Sequence, residues 1–157
     1  IDVVSYDVIG DDETITKIYG LDLDVSAYKR GYNLLIENGL NIVPHVTVGL
    51  DEGDIVGERK AVDIVSSSDR IILNSLIPSN FGHSVSKEDF LSIVKYAVET
   101  TKADVIIGCM RERGRAGLEI ESIKLGVKGI VIPSTETRKW VRKKYDYEKI
   151  EACCAVQ

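Results

Sequence analysis

The chain has 157 residues, of which 44% are hydrophobic and 29% are charged, and its formal net charge is −5. These values are typical of one globular domain that is long enough to bury a core. No apolar run reaches the length of about 18 residues that a membrane helix needs. The acidic balance disfavours general binding to nucleic acid. The cysteine count of 3 does not suit a secreted disulfide scaffold, so we expect a cytoplasmic protein.

Short apolar strands alternate with amphipathic helices along the whole chain, beginning with a β-branched strand. Strands are predicted at Val3–Ile9, Asn41–Leu50, Arg70–Ile77, Asp104–Gly108 and Gly129–Ile132. Helices are predicted at Ser26–Glu37, Ile55–Val65, from Ser86 through the apolar stripe that ends at Val98, Leu118–Leu125 and Thr135–Lys144. Ser26, Ser86 and Ser134 are the predicted N-caps, and Asp89 follows Ser86 in the spacing of a capping box.

This alternation predicts an α/β fold with one parallel sheet and right-handed crossovers, in a single domain over residues 1–157. Two architectures fit: an open doubly wound sheet, or part of a (βα)₈ barrel, which needs about 250 residues when complete. Strands of a doubly wound sheet are apolar on both faces. Here polar residues alternate with apolar ones, as at Ser5, Asp7, His45, Thr47 and Asn74. The pattern therefore favours a partial TIM-type barrel of about five parallel βα units.

Several segments resemble a known enzyme group in their order and spacing. They are Ser5-Tyr6-Asp7, Tyr19-Gly20, Tyr28-Lys29-Arg30, Asn38-Gly39-Leu40, Val48-Gly49-Leu50, Leu73-Asn74-Ser75-Leu76-Ile77-Pro78, Gly108-Cys109-Met110-Arg111-Glu112-Arg113-Gly114, Ile130-Val131-Ile132-Pro133-Ser134 and Cys153-Cys154. Over nearly its whole length the chain resembles the second half of radical S-adenosylmethionine (SAM) enzymes, namely archaeal biotin-synthase homologues and two-part lipoyl synthases. The resemblance implies SAM as a cofactor and hydrogen abstraction by a radical, with sulfur insertion as a further step.

The chain lacks the CxxxCxxC segment that holds the [4Fe–4S] cluster in that group. The resemblance therefore implies that the cluster belongs to an N-terminal part that is missing here, either upstream in the same chain or in a separate subunit. The start at Ile1 without a methionine also suggests a fragment. Five strands cannot close a barrel, so we expect this partner part or a homo-oligomer to cover the open edges. The implied substrate is a small molecule or is bound to a carrier protein.

Five residues are candidates for cofactor binding: Asp7, Arg30, His45, Asn74 and Arg111. The resemblance places Asp7, Arg30 and Asn74 at SAM-binding positions, and it suggests Arg111 because an arginine ligates iron in biotin synthase. His45 is a candidate because the barrel interpretation puts it on the inner face. Asp7 suits a ribose or amino group, Arg30 a carboxylate, and Asn74 a group that both donates and accepts. Each has a structural alternative. Asp7 can cap a loop, Arg30 can be solvated, His45 can be a core residue, and Arg111 can pair with a neighbouring glutamate. The resemblance identifies no catalytic residue.

Cys109, Cys153 and Cys154 are candidate ligands of an auxiliary iron–sulfur cluster, which would donate sulfur in this enzyme group. Such clusters normally take four thiolates. A fourth ligand would come from the missing part, from Arg111 or from substrate, and the alternative is that Cys109 is structural. A different class of function also fits the pattern: a non-catalytic, open-sheet α/β domain that binds a small anionic ligand at its strand ends.

Overall fold

The computed structural model describes residues 3–77 and 83–155. Within them the strands are β1 (Val4–Asp7), β2 (Ile42–Val48), β3 (Arg70–Ser75), β4 (Asp104–Ile107) and β5 (Gly129–Ile130). The helices are α1 (Asp12–Tyr19), α2 (Val25–Glu37), α3 (Glu58–Ile64), α4 (Lys87–Thr100), α5 (Ala116–Leu125) and α6 (Thr135–Val141). Every predicted strand is present, in a shorter form. Pro78, the last residue of one motif, lies outside the described residues.

All five strands pair in parallel, and their order across the sheet is the order along the chain, β1-β2-β3-β4-β5. The fold is therefore α/β, as the alternation predicts. Right-handed crossovers in such a series bring each helix back to the same face of the sheet. A doubly wound sheet requires a reversal of strand order, and this sheet has none among the described residues.

The two faces of the sheet pack against different parts of the chain. One face, which we call the helix face, packs on α2, α3, α4 and α5 through a large apolar cluster that includes Val46, Leu73 and Phe90. The opposite face, which we call the tail face, packs on the C-terminal tail instead. Its cluster consists of Val3, Val43, Ile72, Ile106, Val131, Cys154 and Ala155. In the described residues no helix contributes to this second cluster.

The sequence pattern predicts no helix between the first strand and Ser26, but α1 occupies part of that segment. It begins at the N-cap Asp11, whose carboxylate accepts from the Thr14 N–H, and it ends at Gly20, where φ is 63°. The predicted cap of α2 is also wrong. Asp24 caps that helix by accepting from the Ala27 N–H, and Ser26 donates to the Asp24 carboxylate. A carboxylate near a helix N-terminus is also favoured by the helix dipole.

The predicted N-cap of α4 is confirmed. The Ser86 hydroxyl accepts from the Asp89 N–H and donates to the Asp89 carboxylate. Ser134 caps α6 in the same way, by accepting from the Thr137 N–H. In the part of the chain that the structure describes, no helix has both the length and the apolar character to cross a membrane.

We expect Gly10→Ala to destabilise the fold, because a Cβ at Gly10 would lie 2.0 Å from the backbone oxygen of Gly57 and 2.7 Å from the Ala61 nitrogen. Overpacking of this kind costs about 1–3 kcal/mol. The matched control is Gly117→Ala on α5, where the nearest atom is the Lys87 Nζ at 3.9 Å. That change should raise stability by up to about 1 kcal/mol. Urea denaturation measures the free energy of unfolding of both variants. Equal values would contradict the close approach of Gly10 to Gly57 and Ala61.

Candidate functional site

Polar side chains gather where the strands end on the tail face. The register of the sheet places Asp7 beside His45 and Thr47 beside Asn74. Side chains two apart on a strand share a face, so Asp7, His45 and Asn74 lie on the same side as the tail cluster. Asp7 is exposed, whereas His45 and Asn74 are each only 8% exposed. Three of the five predicted cofactor-binding residues therefore occupy neighbouring strand ends.

Asp7 lies close to the phenol rings of Tyr19 and Tyr28. Burial raises the pKa of both tyrosines, and the negative charge of Asp7 raises each pKa further. The Asp7 carboxylate does not cap the following loop, because Asp11 fills that position. The result is an acidic corner lined by aromatic rings at the end of β1.

Asn74 carries a buried acceptor without a partner. Its Oδ1 has no hydrogen-bond donor among the described residues. Gly108, at the end of the neighbouring strand, leaves the space for this side chain, because a Cβ there would lie 2.0 Å from Oδ1. An unpaired buried acceptor costs about 1–3 kcal/mol. A ligand with an N–H or O–H group would satisfy it.

His45 is oriented by its own strand. Its Nδ1 lies 3.0 Å from the Val43 carbonyl oxygen, and its Nε2 lies 3.6 Å from the Cys154 sulfur. Because a carbonyl only accepts, Nδ1 carries the proton in the neutral ring. The lone pair of Nε2 is therefore directed at the C-terminal tail.

Two of the three predicted metal ligands lie on the tail, where Cys154 contacts His45 and Cys153 contacts Cys154, whereas Cys109 follows β4. The sulfurs of Cys153 and Cys154 lie 3.9 Å apart. Burial, followed by the neighbouring thiols of Cys153 and Cys109, raises the pKa of Cys154 to about 11. A backbone N–H donated by Ala155 is the main cause that lowers the pKa of Cys153. All three are free, and Cys109 and Cys153 are exposed.

The chemistry of this donor set suits a thiophilic metal, because three thiols and one imidazole are the ligands that zinc and iron–sulfur centres use. Within residues 3–77 and 83–155, however, no group of three or more His, Cys, Asp or Glu side chains could hold a metal ion. The SAM-cleaving cluster is a different matter. The cysteines of the CxxxCxxC segment that would bind this [4Fe–4S] cluster are absent from the chain. The residues present therefore do not fit that cluster.

Arg111 is buried inside the fold and bonded to it. Its guanidinium donates to Glu119 and to the carbonyl oxygens of Gly108, Val131 and Ile132. These contacts use all five of the N–H groups that an arginine has. Both charged side chains of the pair are at most 3% exposed. Arg111 therefore ties the ends of β4 and β5 to α5.

Glu119 is the residue that sequence reasoning missed at this position. One carboxylate oxygen of Glu119 binds Arg111, and the other accepts from the Ser134 N–H at 2.9 Å. The carboxylate thereby satisfies the N-terminus of α6. Between these contacts lies Ile132, with a left-handed φ of 47°, which is a costly conformation for a β-branched residue. The carbonyl of Ile132 accepts from Arg111 and Arg113.

Arg30 lies apart from this group in its contacts. It is exposed on α2, where its guanidinium donates to the Ser26 hydroxyl at 2.7 Å. The strand ends thus carry Asp7, His45 and Asn74 on one face, with Cys154 against His45 and with Arg111 bonded to the Gly108 carbonyl oxygen. Neither models of known protein families nor the curated proteins gave a match to the chain.

Arg111→Met should destabilise the fold strongly, because it leaves the Glu119 carboxylate buried without its cation. Breaking a buried pair in this way costs about 3–5 kcal/mol. The matched control is Arg113→Met, since Arg113 is exposed and makes a single 3.4 Å contact to Ile132. Arg113→Met should alter the free energy of unfolding by no more than about 0.5 kcal/mol. Urea denaturation compares the two, and similar losses would contradict the role of the pair.

The Glu119 carboxylate also makes the stability of the fold depend on pH. Burial raises the pKa of Glu119, but hydrogen bonds from Thr137, Arg111 and Ser134 outweigh it and hold the pKa below its usual 4.5. The contribution of Glu119 to stability is therefore complete above its pKa in the unfolded chain. It is lost as the pH falls through its pKa in the folded chain. The stability difference between wild type and Glu119→Gln should shrink from about pH 6 to about pH 3. A constant difference would contradict this assignment.

Proposed function

We propose that this chain is the C-terminal part of a radical SAM enzyme, and that its tail face forms the inner wall of a (βα) barrel. The observation that carries the proposal is the sheet, whose five parallel strands follow chain order. That order is the one found in a TIM barrel, in which each strand is followed by a helix on the outside. The helix face corresponds to the outside, and the tail face to the lumen.

Both edges of the sheet support the idea of a missing part. Among the residues that the structure describes, β1 pairs only with β2, and β5 only with β4, so each edge strand carries backbone groups that a further strand can bind. Exposed apolar side chains accompany the two edges, among them Leu34 on α2 and Ile132 after β5, at 60% and 64% exposure. Three further βα units would complete the eight of a closed barrel.

The proposed SAM site lies at the carboxyl ends of the strands, which is where barrel enzymes bind substrates. Asp7 accepts from the ribose hydroxyls or the amino group of SAM, and Asn74 Oδ1 accepts from an N–H of the ligand. His45 lies between them on β2. Arg111 acts indirectly, by holding the loops after β4 and β5 in place. Arg30 can bind a carboxylate only if the ligand extends as far as α2.

The [4Fe–4S] cluster of the missing part would supply the electron that cleaves SAM. The residues of this chain bind SAM, orient it and shield it from water. The same proposal keeps Cys109, Cys153 and Cys154 as candidate ligands of an auxiliary iron–sulfur cluster, which would serve sulfur insertion into a small or carrier-bound substrate.

Co-expression tests this function. The chain is produced together with a segment that carries CxxxCxxC, and SAM binding to the purified complex is measured by calorimetry under anaerobic conditions. We expect Asp7→Asn, which alters an exposed residue, and Asn74→Leu each to weaken SAM binding at least about tenfold, or about 1.4 kcal/mol. The control is Asp104→Asn, an exposed carboxylate at the opposite end of the sheet.

Two outcomes would contradict the proposal. One is SAM binding that neither Asp7→Asn nor Asn74→Leu changes, while both variants remain folded. The other is a chain that binds no SAM in the complex but binds small anions by itself, which would favour the non-catalytic domain.

A further inference from the structure

We infer that residues 146–155 of the C-terminal tail, which we call the strap, are a detachable cover that must leave the tail face before a ligand can bind beside His45. The inference deepens the proposed function, because it describes how access to the same face is controlled. It rests on that function only for the identity of the ligand. The movement of the strap concerns this chain alone, so it can be tested without SAM and without a further part of the barrel.

The strap occupies the space that a ligand would need. Its buried residues are Cys154 and Ala155, which are 5% and 8% exposed. They pack on the apolar side chains of the tail face, namely Val3, Val43, Ile72, Ile106 and Val131. The Cys154 sulfur also lies 3.6 Å from His45 Nε2. A ligand that contacts both His45 and these apolar side chains therefore competes with the strap for the same place.

Little holds the strap in this position. Among the residues that the structure describes, no backbone hydrogen bond joins residues 146–155 to the sheet, and the strap contains no helix or strand. Residues 142–153 are all exposed, so the main attraction is the burial of two small side chains. Ordering each residue costs backbone entropy, and segments with few buried contacts open locally while the domain stays folded. The strap therefore has the properties of a segment that leaves and returns.

The other contacts of the strap are local and solvent-exposed. Arg142 Nε donates to the Tyr147 hydroxyl at 2.9 Å, and Lys149 pairs with Glu151. None of these four residues lies on a strand of the sheet. The strap is thus tethered next to α6, and within the described part of the chain its far end is fastened to the sheet by the two buried side chains.

Opening of the strap uncovers an apolar patch together with two hydrogen-bond acceptors. Val43, Ile72 and Ile106 are at most 5% exposed while the strap covers them, and contiguous exposed apolar surface commonly marks a binding site. His45 Nε2 is an acceptor in the neutral ring, because Nδ1 donates to the Val43 carbonyl oxygen. Asn74 Oδ1, on the same face, has no donor among the described residues. The open face therefore suits a ligand with an apolar body and N–H or O–H groups.

Competition with the strap determines the direction of the expected effect. The apparent Kd of a ligand equals its intrinsic Kd divided by the fraction of molecules that are in the binding-competent form, here the form with an open strap. Weakening the strap should consequently strengthen binding. Damage to a residue that contacts the ligand has the opposite effect, so the sign of the change distinguishes a cover from a binding element.

The test detaches the strap with Ala155→Asp, which places a charge against the apolar cluster. The matched control is Ala152→Asp, the same change at an exposed position of the strap. The probe is anilinonaphthalene sulfonate, an apolar dye, and urea denaturation establishes that each variant is folded. We expect the dye to bind Ala155→Asp at least about threefold more tightly than it binds the wild type or Ala152→Asp. Equal dye binding by the three folded chains would overturn the inference.

A second measurement leaves the buried residues unchanged and so does not depend on the folding of Ala155→Asp. It follows the alkylation of Cys154 in Cys153→Ser, which removes the exposed neighbouring thiol. We expect Cys154 to react at least about tenfold faster than global unfolding allows. The rate should depend little on low concentrations of urea, because opening of the strap exposes little surface. Alkylation that requires global unfolding would show that the strap does not detach.

SAM binding to the co-expressed complex separates the inference from the proposed function. Tighter binding by Ala155→Asp than by Ala152→Asp supports both. Equal SAM binding by these two variants, with a strap that alkylation shows to detach, overturns the strap as a competitor and leaves the proposed function standing. If no variant binds SAM but the dye and alkylation results are as expected, the proposed function fails and the strap remains the cover of a site for another ligand.

Discussion

In a parallel sheet, each strand must be followed by a crossover that returns the chain to the end of the sheet where the strands begin. Nearly all such crossovers are right-handed. When the strands also follow chain order, each crossover reaches the same face. This constraint governs the protein: its helices cover one face of the five-stranded sheet. The other face receives the C-terminal tail. Polar strand ends and cysteines that are far apart in sequence meet there.

Hydrophobic periodicity was sufficient to predict the elements of the sheet, because buried parallel strands are short β-branched runs and their helices carry an apolar stripe. It missed α1, whose residues are mostly polar and which depends on Asp11 as a cap. It also chose Ser26 where Asp24 caps α2. Both errors concern carboxylates at helix starts, where several polar residues compete and the backbone angles decide which one accepts.

The candidate site was predictable only in outline. Strand alternation was enough to place Asp7, His45 and Asn74 on one face. The approach of Cys154 to His45 depends on where the tail packs, and no local pattern in residues 142–155 fixes this. Arg111 shows the limit most clearly. Its sequence context suggested a ligand contact or a surface pair, whereas the structure buries it with Glu119 and uses its donors to hold two strand ends.

These features form one account. The Arg111–Glu119 pair fixes the loops after β4 and β5, the fixed strand ends present polar groups, and the tail closes over them with its cysteines. The function proposed for this face needs a further part of the barrel to complete the lumen. The position of the tail needs no partner, so it can be examined in this chain alone.

The most direct measurement is crosslinking of the native thiols with a short dibromo reagent, followed by peptide mass spectrometry. Trypsin separates Cys109 from the tail cysteines, since it releases residues 103–111 and 150–157 as different peptides. The account predicts a crosslink between these two peptides in the folded chain and its loss in urea. Single modification of all three thiols, with no crosslink between the peptides, would contradict the packing of the tail against the strand ends.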